Sequence, residues 1–259
     1  MAAVTLHSRI IGGEKKKDLV ILHGLLGSAD NWQTLAKQYA LEFRVHLVDA
    51  RNHGRSPHSQ DHSYELMASD LLKYLNDHSI EKVCLLGHSM GGKTVMLFAE
   101  NHPDRVSKLI IADISPKEYT PHHEPIFQAL QSTNPAIANT RDEVLNVLES
   151  KLGQDKVMIP FLMKNLRREK SGGYSWRFNI EVLSNTLSGI TKRIALSKNT
   201  IPTLLIYGAL SGYVRSEDLA ELEELYLQFE NVCLENSGHW LHAQEPELFL
   251  ESTTEFLNS

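Results

Sequence analysis

Six short apolar runs recur along the chain, most of them rich in Val, Ile and Leu. They are Leu19–Leu22, Val45–Val48, Val83–Leu86, Leu109–Ala112, Thr203–Tyr207 and Val232–Leu234. Runs that are this short and apolar at nearly every position are typical of strands covered on both faces. The pattern therefore predicts a mostly parallel sheet in the centre of the protein.

Stretches with helical periodicity lie between these runs. They are Asn31–Tyr39, Tyr64–His78, Lys93–His102 and Asp218–Gln228, the last with Ser216 as its expected N-cap. An alternation of strand and helix is typical of βαβ units. We therefore predict an α/β fold in which helices flank the sheet.

The alternation stops between residues 116 and 199, where no run has the pattern of a strand. Four amphipathic stretches occupy this segment instead: Ile126–Gln131, Arg141–Leu152, Lys156–Arg168 and Ile180–Leu187. Pro residues and a Ser-Gly-Gly turn separate them. We predict a helical cap at 116–199, inserted into a core formed by 1–115 and 200–259.

Composition and charge exclude several classes of function. The chain of 259 residues has a net charge of -6, and its acids and bases are interspersed, so no basic surface indicates binding to nucleic acid or to a membrane. The N-terminal segment lacks the pattern of a signal peptide, and no stretch reaches the roughly 18 apolar residues of a membrane span. We expect a cytoplasmic protein in which Cys84 and Cys233 are free thiols that pack inside strands.

The first chemical signal is the stretch Gly87-His-Ser89-Met-Gly91, which lies between a predicted strand and a predicted helix. A G-x-S-x-G turn in this context lifts the serine hydroxyl out of the core, because side chains at the two glycines would collide with the backbone. Ser89 is therefore the candidate nucleophile. Lys93 follows in the first helical turn, where its charge opposes the helix dipole, so we expect a carboxylate partner for it.

A nucleophilic serine needs a base, and the chain has 13 histidines. His239 follows the last predicted strand, so it should lie at the carboxyl edge of the sheet, as Ser89 does. His242 is the alternative, three residues further on. We favour His239 because His242 is expected inside the loop or the first turn of the following helix.

The acid that orients the histidine has more than one candidate. The expected order along the chain is Ser, then Asp or Glu, then His. In the loop after the fifth predicted strand, where such an acid is usually found, Ser211 occupies the place of a carboxylate, and Glu217 and Asp218 suit a first helical turn instead. Asp113 ends the fourth predicted strand at the same edge and is the preferred candidate.

An oxyanion hole requires two backbone N–H groups. The helix after the nucleophile supplies that of Met90, and the loop after the first predicted strand supplies that of Leu25, with Leu26 as the alternative. Gly24 in this loop allows close approach of the substrate. His23 is expected to support the loop by hydrogen bonding rather than to take part in catalysis.

Taken together, these motifs resemble those of the α/β-hydrolase superfamily, and most closely its YbfF-like esterase branch. The resemblance rests on His23–Ser28, Asp49–Ser56, Gly87–Lys93, Asp113–Pro116 and Ser237–His239. It implies an α/β-hydrolase fold and an acid at Asp113, in agreement with the choice made from the residues. It also implies hydrolysis of short acyl esters and of acyl-CoA thioesters.

The preferred function is a serine carboxylic ester or thioester hydrolase with the triad Ser89, His239 and Asp113. It needs no metal or organic cofactor, and its partner is a small acyl substrate. A lyase or C–C hydrolase on the same fold and a non-catalytic ligand receptor remain the alternatives. Four aromatic residues of the cap are expected to influence chain-length preference: Phe127, Phe161, Trp176 and Phe178.

Overall fold

The computed structural model of the protein describes residues 2–14 and 16–259. The strands are β1 (Ser8–Ile11), β2 (Lys17–Leu22), β3 (Phe43–Val48), β4 (Val83–His88), β5 (Val106–Ala112), β6 (Leu166–Arg168), β7 (Tyr174–Trp176), β8 (Thr203–Gly208) and β9 (Phe229–Leu234). The helices are α1 (Gln33–Tyr39), α2 (Tyr64–Asp77), α3 (Met90–Asn101), α4 (Glu124–Ser132), α5 (Arg141–Leu152), α6 (Met158–Met163), α7 (Ile180–Asn185), α8 (Leu187–Thr191), α9 (Ser216–Leu225), α10 (Leu241–Gln244) and α11 (Pro246–Asn258).

Seven strands form one sheet in the order β1-β3-β2-β4-β5-β8-β9. β1 pairs antiparallel to β3, and every other neighbouring pair is parallel. The predicted α/β-hydrolase fold, with a mostly parallel sheet flanked by helices, is therefore confirmed. Since parallel strands end at the same edge, the loops after β2, β4, β5, β8 and β9 share one edge of the sheet.

Successive residues of the central strands enter different cores. On one face, side chains such as Leu85 pack with residues of α2, α3 and α9. On the other face, side chains such as Leu86 pack with residues of α1 and α11. Burial on both faces explains why these strands are apolar at nearly every position, in contrast to an alternating strand.

Two elements of the core differ from the sequence prediction. β1 was not predicted, because this edge strand is only partly buried and has no continuous apolar run. Helix α9 begins at Ser216, so the expected N-cap at Ser216 is wrong. The N-cap is Arg215, whose backbone N–H donates to Asp218 Oδ2 at 2.8 Å.

The segment 116–199, for which we keep the name cap, contains a hairpin that was not predicted. The stretch 156–168 was predicted as one helix, but α6 ends at Met163, and Leu166–Arg168 pairs antiparallel with Tyr174–Trp176. Gly172 and Gly173 have φ values of 95° and 71°, which favour glycine and reverse the chain between the two strands. The expectation that this segment contains no strand is therefore wrong, although the helices α4 to α8 also lie in it.

The cap has an apolar core of its own, to which α4, α5, α6 and the hairpin contribute. Leu26 from the loop after β2 is also part of this cluster. The apolar core of the cap thus reaches the edge of the sheet where the predicted site lies. None of the helices among the described residues is long and apolar enough to cross a membrane.

Candidate active site

Ser89 lies in a sharp turn between β4 and α3, with φ +53° and ψ -118°. A Cβ at Gly87 would collide with the carbonyl of Gly91, and a Cβ at Gly91 would collide with that of Leu22. Only glycine therefore fits at either position. The left-handed backbone of Ser89 costs about 1–3 kcal/mol and persists only where the surrounding structure fixes it.

Asp113 and His239, which are 126 residues apart, meet at the carboxyl edge of the sheet. The Nδ1–H of His239 donates to Asp113 Oδ2 at 2.7 Å, and the Asp113 side chain is fully buried. Oδ2 also accepts from the hydroxyl of Ser211 at 2.5 Å, while Oδ1 accepts from the backbone N–H of Gly208 at 3.2 Å. Three donors thus surround this carboxylate and fix its position.

The imidazole of His239 is fixed from several sides. The carboxylate holds the proton on Nδ1, so Nε2 is the basic nitrogen. The ring of Tyr213 stacks on the imidazole with centroids 3.8 Å apart and planes inclined by 14°. The Nε2–H of His88 donates to the backbone carbonyl of His239 at 2.8 Å, and burial lowers the pKa of His88 well below 6.5, so His88 is neutral.

The alternative candidates for the base and the acid contact other residues instead. His242 stacks on Trp32 with centroids 4.2 Å apart, and burial lowers its pKa to about 3. Asp218 accepts from the ammonium of Lys117 at 2.5 Å and from the backbone N–H of Arg215, the N-cap of α9, and Glu217 is exposed on α9. The structure therefore brings Asp113, rather than Asp218, into contact with His239.

Hydrogen bonds in the loop after β2 distinguish between the two candidates for the first oxyanion donor, the N–H groups of Leu25 and Leu26. The N–H of Leu26 donates to His53 Nε2 at 3.1 Å and is therefore not free for a substrate. The N–H of Leu25 has no hydrogen-bond acceptor within residues 2–14 and 16–259. Met90 is the first residue of α3, so its N–H is one of the unpaired donors of the helix N-terminus.

Gly24 and His23 support this loop. A Cβ at Gly24 would lie 2.9 Å from His88 Nδ1 and 3.2 Å from the Cβ of Ser89, so glycine allows the loop to approach the nucleophile. The Nδ1–H of His23 donates to the Gly24 carbonyl at 2.8 Å, and its Nε2 accepts from the Ala50 N–H at 3.1 Å. Burial lowers the pKa of His23, which suits a neutral ring with one donor and one acceptor.

Lys93 has no carboxylate within salt-bridge distance among the described residues, so the expectation of such a partner is wrong. Its ammonium donates instead to the carbonyls of Lys117 and Lys192, each at 2.6 Å. It also lies 4.9 Å from the centroid of the Tyr119 ring. Residues 117 and 192 belong to the first and last parts of the cap, so Lys93 binds both connections between core and cap.

A cavity of about 250 Å³ opens beside Ser89 and His239, which both line it. Its apolar walls are formed by Leu25, Leu26, Ile126, Met158, Phe161 and Trp240. Phe161 therefore lines the cavity, whereas the other aromatic residues predicted to influence chain length pack inside the cap. Those residues are Phe127, Trp176 and Phe178.

Sequence reasoning missed His53, His88 and Tyr213 as parts of the site. His53 and His88 lie inside motifs that were recognised, but nothing in the motif indicates which backbone group each ring binds. Tyr213 follows Ser211 in the loop after β8, and its stacking on His239 depends on how two distant loops meet. The available signal was the position of His88 next to Ser89 and of Tyr213 near Ser211, and for His53 its place in the turn-rich segment Asp49–Ser56.

Comparisons with known proteins identify the family of the chain. Residues 18–146 match the family model of the alpha/beta hydrolase fold. The sn-1-specific diacylglycerol lipase ABHD11 of Mus musculus is 37% identical over 92% of this chain and 80% of its own length. Esterase YbfF of Escherichia coli (strain K12) is 34% identical over 93% of this chain and 92% of its own length.

A solved structure described as a marine microorganism esterase is 40% identical and superposes with a TM-score of 0.94. The match covers 98% of this chain and 100% of that one. These relatives are more than 30% identical to the chain over most of both lengths, which shows that they belong to the same family. The chain therefore belongs to the α/β-hydrolase family and is a hydrolase of the YbfF-like esterase branch.

Proposed function

We propose that the protein is a serine carboxylic ester hydrolase that acts on short-to-medium acyl esters or acyl thioesters through the triad Ser89, His239 and Asp113. The observation that carries the proposal is the 2.7 Å hydrogen bond between His239 and the buried Asp113, next to the cavity that Ser89 lines. A base oriented by a carboxylate and placed at the same cavity as a serine in a strained turn is the arrangement that acyl transfer requires.

In the first half of the reaction, Ser89 Oγ attacks the acyl carbonyl carbon while His239 Nε2 takes the hydroxyl proton. The N–H groups of Leu25 and Met90 stabilise the oxyanion of the tetrahedral intermediate. The C–O or C–S bond then breaks, and His239 returns the proton to the leaving alcohol or thiol. The acyl group is left on Ser89 as an ester.

In the second half, a water molecule takes the place of the leaving group. His239 removes one proton from the water as its oxygen attacks the acyl carbonyl, and a second tetrahedral intermediate forms. The bond to Ser89 breaks, Ser89 Oγ recovers the proton from His239, and the carboxylic acid leaves. Asp113 keeps Nδ1 protonated and stabilises the imidazolium in both halves.

The cavity supports the proposed size of the acyl group. Its volume of about 250 Å³ lies just below the range of ~300–1,000 Å³ that is usual for small-molecule sites. Apolar side chains on both its loop and cap walls suit an acyl chain rather than a charged group. The names of the relatives, a diacylglycerol lipase and an esterase, support an ester as the substrate.

The experiment compares hydrolysis of p-nitrophenyl acetate, butyrate and octanoate, and of butyryl-CoA, by the native protein and by Ser89→Ala. We expect turnover by the native protein and a loss of at least about 10⁴-fold in kcat for Ser89→Ala, since the nucleophile is removed. Ser188→Ala, a matched change at an exposed serine of α8, should keep full activity. Retention of turnover in Ser89→Ala would refute the assigned nucleophile.

A further inference from the structure

The loop that carries the Leu25 N–H is held in a conformation it would not adopt alone. Leu26 has φ +60°, a left-handed backbone that costs a residue with a branched side chain about 1–2 kcal/mol. Its N–H is bound by His53, as described above, and its side chain packs in the apolar core of the cap. The remaining backbone group of Leu26, its carbonyl, is bound by the cap.

The cap residue that binds this carbonyl is Asn165, whose Nδ2 donates to Leu26 O at 3.0 Å. Asn165 lies between α6 and β6 and is fully buried. Its own backbone is fixed at both groups: its N–H donates to the Leu162 carbonyl and its carbonyl accepts from the Arg177 N–H, each at 2.9 Å. The backbone of Asn165 is therefore fixed, and its Nδ2 has a second acceptor in the Phe161 carbonyl at 3.4 Å.

A continuous chain of hydrogen bonds leads from this side chain to the oxyanion donor. Asn165 Nδ2 binds the carbonyl of the peptide group between Leu26 and Gly27, and the N–H of that same peptide group donates to the Gly24 carbonyl at 3.0 Å. The Gly24 carbonyl belongs to the peptide group that carries the Leu25 N–H. No peptide bond is cis in the residues described, so this N–H points away from the Gly24 carbonyl and its direction is fixed.

Hydrogen bonds arranged in such a chain also polarise one another, which strengthens the last donor. We propose that Asn165 is a positioning residue of the oxyanion hole, through which the cap fixes the direction of the Leu25 N–H and strengthens it as a donor. The proposal rests on the proposed function. It adds that the cap supports the chemical step, besides forming a wall of the cavity.

The test uses Asn165→Leu, which keeps a similar volume without a donor, and Asn165→Asp, which keeps the shape but places an oxygen against the Leu26 carbonyl. Asn179→Leu is the matched control, because the Asn179 side chain also joins the cap to a core loop, its Nδ2 donating to Asn52 Oδ1 at 3.3 Å. Active sites are counted by fluorophosphonate titration, so that kcat is expressed per folded site. Butylboronic acid, whose tetrahedral adduct with Ser89 places an oxygen in the oxyanion hole, serves as the transition-state analogue.

For both Asn165 variants we expect kcat per site to fall about tenfold, less than the 10²–10³ lost when an oxyanion donor is removed outright. KM should stay within about twofold, and the affinity for the boronic acid should fall in proportion to kcat/KM. Asn179→Leu should lower Tm and the number of titratable sites while it leaves kcat per site and boronic acid affinity unchanged.

A purely structural role of Asn165 would give the control's pattern, with fewer sites and native kcat per site, and would overturn the proposal. An unchanged affinity for the boronic acid in either Asn165 variant would also overturn it. Failure of the proposed function is a separate result, because the native protein would then hydrolyse no ester or Ser89→Ala would retain turnover.

Discussion

Replacement of Asp113 by asparagine tests the hydrogen-bond pattern around the candidate base. Oδ1 accepts from a backbone N–H, that of Gly208, which cannot accept a bond in return. The NH₂ group of the introduced asparagine therefore takes the place of Oδ2, where the hydroxyl of Ser211 can accept from it. In this orientation an N–H faces His239 Nδ1, which must then be unprotonated, so Nε2 carries the proton and can no longer act as a base.

The size of the effect follows from this change of tautomer. In a Ser-His-Asp triad the same substitution lowers kcat by about 10⁴, so we expect a fall of about 10³–10⁴ for Asp113→Asn. At ~1.36 kcal/mol for each factor of ten, this corresponds to about 4–5.5 kcal/mol of lost transition-state stabilisation. The assay is kcat with p-nitrophenyl butyrate, with circular dichroism and Tm to verify the fold.

Asp218→Asn is the matched control. Asp218 is also a buried aspartate of the carboxyl edge, but its partners are Ser115, Lys117 and Arg215. We expect a lower Tm and a kcat within about threefold of the native value. A near-native kcat in folded Asp113→Asn would refute the assignment of the acid, and a large loss in Asp218→Asn alone would transfer it to Asp218.

Two further predictions concern the cap. Burial lowers the pKa of Lys93 from its usual 10.5 to about 7. Between pH 7 and pH 10.5 the unfolded chain therefore binds a proton that the folded protein does not. Because of this difference, the free energy of unfolding rises with pH in that range. Lys93→Met should flatten this rise in urea unfolding at pH 7 and pH 10, and an unchanged slope would contradict the assigned titration. Phe161→Ala, at the cavity wall, should shift preference towards p-nitrophenyl octanoate, whereas Trp176→Ala, inside the cap, should mainly lower Tm. The reverse pattern would place the acyl site elsewhere.

The architecture of the core was predictable because its strands are covered on both faces. Continuous apolar runs such as Leu109–Ala112 have no competing interpretation when helical stretches separate them. The edge strand Ser8–Ile11 was not predictable in the same way, since its partly exposed residues have no apolar pattern. The hairpin of the cap was missed because three-residue strands are too short to show a period.

Site residues could be predicted where a local motif, with given residue types at a given spacing, determines the backbone conformation. The turn around Ser89 is of this kind, because its glycines are required by backbone contacts within the turn itself. From the residues alone, the hydrogen bond of His239 to Asp113 could be expected only from the rule that parallel strands end at one edge. The choice between Leu25 and Leu26 required the position of His53, which no local pattern gives.

The partners of Lys93 illustrate what the sequence does not contain. The reasoning from the helix dipole was sound in requiring compensation for the buried charge. The compensation comes from backbone carbonyls at residues 117 and 192, and every residue type has such a carbonyl. A hydrogen bond to a backbone carbonyl does not depend on the residue type that supplies it, so the sequence cannot indicate the partner and only the folded structure shows it.

The central claim, that Ser89 is acylated during turnover, is tested most directly by peptide mass spectrometry after reaction with a fluorophosphonate. We expect one adduct per chain, located on Ser89, and its absence when butylboronic acid is present in excess. An adduct on any other residue, or ester hydrolysis that continues after Ser89 is fully modified, would show that Ser89 is not the nucleophile.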